Sequence, residues 1–307
     1  TTGAEGAPNQ NAWRRRLQEY TLSFRLLMRS PLSAVGFVII VIYLADVLYA
    51  QFFLTNLNEM ATNFSNTIPQ APSWWPGGTA SGGFLGTTDF GIDLTNAVVL
   101  AIRTDLIFSA FVVLTGALIG TLIGVYAGYR GGMFDEVLMR ATDVTYSIPF
   151  LIFASAVAFA FNRRDFTTLN TVLLILWWPP YARLVRAQTL SVREIRFVEA
   201  AKAAGASDAR IMLRHVLPNT LAPVFVQISL DLGVVTQIFA ALDFIGFAGD
   251  NPYLPELGNL ILIGWNKGPT SYPWTVIIPG MVLVIFTLAV NLVGDGLRDV
   301  MDPRLRR

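Results

Sequence analysis

Few side chains in this 307-residue chain are equipped for covalent or metal chemistry. There is no cysteine, which excludes disulfides, thiolate metal sites and cysteine nucleophiles. His215 is the sole histidine, which argues against a His-based metal centre or a Ser-His-Asp hydrolase. No Gly-x-x-x-x-Gly-Lys-Ser/Thr loop occurs, so the chain is expected not to hold ATP itself. What remains is a set of acidic residues within or beside apolar stretches. Asp231 lies in the middle of an apolar run that also carries Gln227, Thr236 and Gln237. A charge in that setting is costly and by default faces a cavity or a partner. Three readings stay open for it: contact with a ligand, pairing with a partner chain, or a neutral, hydrogen-bonded carboxyl. Asp143 lies a turn from Arg140, which suggests a local ion pair. Asp89 and Asp93 offer too few oxygens from one side of a turn for calcium, so a structural turn is expected there.

A second stretch is polar where its neighbours are apolar: Glu199 to Asn219, EAAKAAGASDARIMLRHVLPN. Ala200, Ala201, Ala203 and Ala204 are strong helix formers, and Glu199 is spaced to pair with Lys202. Gly205 ends that helix by taking a left-handed backbone. Ser207 is placed as the N-cap of a second helix, with Asp208 in its first turn, running through Ile211 and Leu213 toward Pro218. The segment reads either as a helix–turn–helix that fits a partner's groove or as a solvated loop.

The elements around these residues belong to a membrane. The chain is 53% hydrophobic and 14% charged, with a mean hydropathy of +0.53, too apolar for an ordinary soluble domain. Residues 1–31 are a polar tail followed by an amphipathic helix in which Trp13, Leu17, Tyr20, Phe24, Leu27 and Met28 form one face and arginines the others. Residues 32–54 form the first span, interrupted by Asp46, and 55–104 a polar outer loop with Trp74 and Trp75 as interface anchors. A core over 105–297 supplies five more: Asp105 to about Ala127, Glu136 to about Phe161 with a kink at Pro149, Thr168 to about Arg183, Leu217 to about Phe244, and Trp274 to about Val293. Gly116, Gly120 and Gly124 recur every four residues, a spacing that lets helices approach closely. Phe244–Lys267 is too broken by Pro and Gly to span and is expected to dip toward the outer mouth. Residues 298–307 are a tail. Of the 22 Lys and Arg, all but Arg103, Arg163, Arg164 and Lys267 fall on the side of the termini and of the Glu199–Asn219 loop, which puts that side in the cytoplasm. Topology explains this basic side without nucleic acid.

The Glu199–Asn219 stretch resembles the EAA loop of type I ABC-importer permeases, with Glu199, Ala200, Ala201, Gly205, Leu217 and Pro218 on the pattern. His215 stands where an apolar residue is usual. Arg214–Asn219, the Trp178–Arg186 run WPPYARLVR and the tail Asn291–Arg307 resemble the dipeptide/oligopeptide branch. So does Phe84–Leu94, except that Ile92 replaces an arginine. The resemblance covers nearly the whole chain. It implies an all-α integral membrane protein with six transmembrane helices, an N-terminal amphipathic helix and a cytoplasmic coupling loop. Glu199, Ala200, Ala201, Lys202, Ala203, Gly205, Arg210 and His215 would contact the ATPase. Asp231, Gln227 and Gln237 are candidates for the translocation path. The implied partners are a homologous second permease, two ATP-binding subunits carrying ATP and Mg, an extracytoplasmic solute-binding protein and the lipid of a prokaryotic cytoplasmic membrane. Catalysis, cofactor and metal are expected of none of this chain's residues. The usual cargo is di- or oligopeptides, with nickel complexes or oligosaccharides as alternatives. An ion-coupled secondary transporter would instead require inverted repeats, which the sequence does not show.

Overall fold

The computed structural model describes residues 25–54, 68–78, 80–88, 91–161, 166–247 and 255–301, and these are almost entirely helical. The expected interfacial helix lies outside them up to residue 24, as do Asp89, residues 55–67 and the tail from 302. Helix α1 (Pro31–Phe53) starts at an N-cap, Ser30, whose hydroxyl accepts from the Ser33 amide at 3.5 Å, with Pro31 in the first turn. Its buried positions, Ser33, Gly36, Tyr43 and Ala50, make a narrow small-residue seam. That seam packs on α10 (Trp274–Met301), where the Tyr43 hydroxyl donates to the Val282 carbonyl at 2.6 Å. Leu32, Val35, Val38 and Ile42 face outward, as expected of a helix solvated by lipid.

Helix α2 (Leu94–Arg130) is longer than the sequence suggested. Asp93 caps it, accepting from the Thr95 amide at 2.7 Å, so this aspartate belongs to the structural turn that was expected. The reason for the extra turns is protein, not lipid: Leu94, Ala97, Val98 and Ala101 are buried against α9 (Leu257–Lys267) and α10. Helix α9 is a further departure, because the broken Phe244–Lys267 stretch holds an eleven-residue helix. Its Leu257 and Leu260 seal the α2–α10 layer.

The expected third and fourth spans are each divided. Helices α3 (Gly132–Ser147) and α4 (Phe150–Phe161) are separated at Pro149, and α5 (Phe166–Trp177) and α6 (Pro179–Val192) at Trp178. Pro149 has no N–H to give the helix and drives the preceding residue away from αR; Ile148 is accordingly extended at φ −80°, ψ 119°. Helix α7 (Arg196–Ala203) follows, then α8 (Asp208–Phe244), continuous through a π-helical turn at Met212–Val216. Among the described residues, four helices, α1, α2, α8 and α10, are long and apolar enough to cross a membrane.

Helix α2 packs most extensively on α6. Gly116, Gly120, Gly124 and Gly128 face Trp177, Trp178, Ala182 and Arg186 in rising order, so the two helices run parallel. The four-residue glycine spacing therefore marks a packing face, as expected. Beyond its end the α2 terminus is closed by Arg193, which donates to the Gly128 carbonyl at 2.8 Å.

Helix α3 is tied to α6 by a two-pronged ion pair: Arg186 donates from Nε at 2.5 Å and from Nη2 at 2.6 Å to Asp135. That hydrogen-bonded guanidinium holds the Asp135 carboxyl below its ordinary range, against the opposing effect of partial burial. A carboxyl whose pKa folding lowers contributes fully above its unfolded titration range, and the contribution is lost as pH falls through the lower folded value. The melting temperature of the native protein in detergent should therefore fall more steeply below about pH 4 than that of Asp135→Asn. Parallel curves would show that the pair does not stabilise the fold.

Candidate functional site

The Glu199–Asn219 stretch folds as a helical hairpin. Val198, Ile211 and Val216 are fully buried in the α2–α6–α8 core, with Ala201, Ala206, Met212 and Leu217 packed against it. Helix α7 closes through a Schellman motif: the Gly205 amide donates to the Lys202 carbonyl at 2.9 Å and the Ala206 amide to Ala201 at 3.1 Å. Gly205 has φ +77°, the left-handed value the sequence demanded. Ser207 occupies the N-cap position in extended conformation, but its side chain makes no capping bond. Asp208 is engaged elsewhere, accepting from the Tyr129 hydroxyl at 3.0 Å and lying 4.0 Å from Arg130. This ties the hairpin to the end of α2.

The second hairpin helix is the first part of α8 and runs through Pro218 without a break. The π-helical turn at Met212–Val216, inside α8, loosens the hydrogen-bond register ahead of Pro218, which sits in the first α-helical turn after it, where its missing N–H costs little.

Of the eight expected contact residues, Glu199, Ala200, Lys202, Ala203, Gly205 and Arg210 are exposed, Ala201 is half-buried against the core, and His215 is half-buried with its ring 6.4 Å from that of Phe197. Lys202 lies over the Tyr129 ring at 5.3 Å rather than pairing with Glu199. Phe197 and Leu213 flank the exposed alanines and are themselves 40% and 60% exposed, so the face presented is small, apolar and rimmed by charge.

The second candidate group is partly assembled. Asp231 is buried and accepts from Gln227 Nε2 at 2.8 Å and from the Trp177 indole at 3.2 Å, while the buried Tyr181 hydroxyl faces the same carboxylate. Gln237 does not join them. Six residues along a helix carry it to another face, where it is exposed. Thr236 instead donates to the Leu232 carbonyl at 2.7 Å and makes a 2.9 Å bond with the Ser109 hydroxyl of α2.

Two electrostatic features differ from the sequence reading. Asp143 pairs with Arg183 of α6 at 2.6 Å, not with Arg140, which lies 3.9 Å from Glu136 instead. Asp105, Asp243 and Glu256, from α2, α8 and the residue capping α9, are brought together and are no more than 2% exposed. The Leu257 amide donates to Asp105 at 3.2 Å, while Asp243 and Glu256 lie beside each other with both Asp243 carboxyl oxygens buried and outside any hydrogen bond. Among the described residues no group of His, Cys, Asp and Glu is placed to hold a metal ion. The three carboxyls therefore read as a polar lock that seats α9. Its members stand 138 and 13 residues apart, and nothing in the local pattern joins them.

Residues 120–307 match the family model described as binding-protein-dependent transport system inner membrane component. The chain is 36% identical over 287 residues to the dipeptide transport system permease protein DppC of Alkalihalophilus pseudofirmus, covering 92% of this chain and 90% of that protein. It is 32% identical to the probable D,D-dipeptide transport system permease protein DdpC of Escherichia coli, covering 91% and 90%. It is 34% identical to the glutathione transport system permease protein GsiD of Pectobacterium atrosepticum over 75% of each. Among solved structures, the inward-facing MetNI methionine ABC transporter superposes with a TM-score of 0.54 at 21% identity, covering 68% of this chain and 98% of that one. At that identity the likeness speaks to fold alone.

Proposed function

Because the chain belongs to the family of binding-protein-dependent transport system inner membrane components, we propose that it is one of two homologous permease subunits of an ATP-driven importer of di- and oligopeptides. It is a multi-pass membrane protein and a transport component. In the proposed topology α3–α4 and α5–α6 complete six spans as two interrupted helix pairs. Both termini and the hairpin then lie in the cytoplasm, on the side where lysine and arginine accumulate. ATP and Mg would be bound by two separate ATPase subunits, and cargo delivered by an extracytoplasmic solute-binding protein.

One observation carries this reading: the hairpin offers a small apolar knob that is held rigidly. Ala200, Ala203 and Ala204 project beside Phe197 and Leu213, while Val198, Ile211 and Val216 fix the underside to three core helices. A partner that grips the knob moves the long span directly, because the hairpin's second helix is the start of α8 itself. Differential contact with the knob in two ATPase states is what alternating access requires. Glu199, Lys202 and Arg210 would supply the charged rim of that contact, and Gln227 and Asp231 would line the path.

The names of the relatives favour peptides over oligosaccharides or nickel complexes as cargo. The test is co-purification of this chain with an ATPase pair, followed by reconstitution with the second permease and the binding protein. ATP-dependent dipeptide uptake that needs every component is expected. Uptake by this chain alone would overturn the importer and favour an ion-coupled transporter.

A further inference from the structure

Both interrupted helix pairs break at the same place. A cavity of about 330 Å³ is lined by Thr145, Tyr146, Ile148 and Phe150 from the α3–α4 break, Leu176, Trp177 and Pro180 from the α5–α6 break, and Gln227, Asp231 and Val234 from α8. Asp231 lies fourteen residues into the 28-residue segment Leu217–Phe244, about 20 Å along its axis and so near mid-membrane in the proposed topology. Irregular backbone at such a depth is tolerated where it lines a cavity.

The charge of this cavity has one sign. Among the described residues, Asp231 is its only ionisable carboxyl, and no lysine, arginine or histidine lines it. Arg183, which lies 4.8 Å over the Tyr146 ring at the rim, is committed to Asp143 at 2.6 Å. Asp231 is hydrogen-bonded by neutral donors, the Gln227 amide and the Trp177 indole, so among the described residues its charge has no counter-ion. The backbone adds to the same sign. Helices α3 and α5 both end here, presenting carbonyl termini. The helices that resume carry Pro149, Pro179 and Pro180 at their starts, residues without an N–H, so the positive ends are blunted. By the same token the carbonyls of Ile175 and Leu176 face a proline four residues on and lose their helical donor, while that of Thr145 keeps only a 3.4 Å bond from the Ile148 amide. Trp177, Tyr146 and Phe150 give the remaining wall aromatic faces. One carboxylate, carbonyl ends and aromatic faces suit an organic ammonium rather than a metal ion, which would need several converging hard ligands.

We infer that the cavity between the two helix breaks is a recognition site for the primary ammonium group of the cargo, with Asp231 as its counter-ion and Trp177 and Tyr146 as its aromatic walls. This rests on the permease reading above and gives that path its chemistry: a cargo with a free amino terminus gains a contact at mid-membrane that an N-acylated one lacks.

The absence of cysteine supplies the test. In the assembled complex, Val234→Cys places the chain's single thiol on the cavity wall. Its modification by a trimethylammonium-ethyl and by a sulfonatoethyl methanethiosulfonate is followed on this chain by mass, each rate divided by the reagent's rate with a free thiol. The normalised cationic rate is expected to exceed the anionic by about ten-fold or more, and Asp231→Asn to bring the ratio to about one. With Asp231 intact, glycylglycine should slow the labelling and N-acetylglycylglycine should not. This second measurement needs no change at Asp231 and so stands even if Asp231→Asn fails to assemble. A ratio near one with Asp231 present, a ratio that Asp231→Asn leaves unchanged, or equal protection by the acetylated dipeptide would overturn the inference. ATP-driven uptake by the native complex separates the two claims. No uptake counts against the permease reading, whereas uptake without charge selection counts against the ammonium site alone.

Discussion

Gly120→Ala is expected to lower the melting temperature and the yield of the complex more than any other single methyl added to this chain's glycine seam. A Cβ at Gly120 would lie 2.4 Å from the Trp178 carbonyl oxygen, 2.6 Å from the Tyr181 Cβ and 2.9 Å from the Ala182 amide nitrogen. These are backbone or Cβ atoms and cannot rotate aside, so α2 and α6 must separate. Overpacking of this kind costs about 1–3 kcal/mol and sometimes more. The separation would also shift Trp178 and with it the break that brings Trp177 to Asp231. The penalties should follow the clearances along the seam: Gly124 at 2.6 Å next, then Gly128 at 2.8 Å, and Gly116 last at 3.1 Å. Gly280→Ala is the control. It lies within α10 with nothing within 4 Å of the added carbon, and alanine is the better helix former by about 1 kcal/mol. Thermal scans of the purified complex would decide the matter. A Gly120→Ala protein that melts with the native one, or a seam whose penalties ignore the clearances, would show that the two helices are not locked here.

That seam was legible because its signal is local: three glycines at fixed spacing in an apolar helix. The same is true of the long spans. Residues 217–244 are largely apolar and were expected as the fifth span, and a helical segment has those bounds, although the helix continues back to Asp208. Gly205 was legible too, since few residues other than glycine adopt its backbone readily. What the sequence hid depends on pairings between distant segments. Asp143 had Arg140 three residues away, yet its partner is Arg183, forty residues on, because the α3–α6 contact sets the geometry. Pro149 announced an interruption, but not that the break before Pro179 would meet it at Asp231. Helix α9 was obscured by its flanking Pro and Gly residues, and its first amide, at Leu257, is held by Asp105 from another helix. Gln227 and Gln237 looked equivalent beside Asp231; only the helical angle separates one that reaches it from one that does not.

The largest functional effect is expected at Gly205, and the structure separates its cause from packing. A Cβ there would meet nothing within 4 Å, so no substitution is resisted by a neighbour. The resistance comes from φ +77°, which a β-branched residue adopts only with strain. Gly205→Val should therefore undo the two Schellman bonds to Lys202 and Ala201, releasing the last turn of an eight-residue helix that has little else to hold it. Val198 would keep the start of α7 in the core, while Ala203 and Ala204 would lose their fixed position on the knob. Spans distant from the hairpin are untouched, so the melting temperature of the complex should fall little. Peptide-stimulated ATP hydrolysis should fall about ten-fold or more, the change that 1.4 kcal/mol of lost coupling produces. Gly205→Asn is the discriminating variant, because asparagine visits the left-handed region more readily than other side chains. It should retain most of the stimulation although it is larger than alanine, and Gly205→Ala should fall between the two. That ranking, asparagine above alanine above valine, reverses what size alone would give for the first pair. If stimulation instead declined with side-chain volume, the position would be a contact surface and not a backbone hinge. If Gly205→Val kept full stimulation, the hairpin could not be the element through which ATP hydrolysis reaches α8.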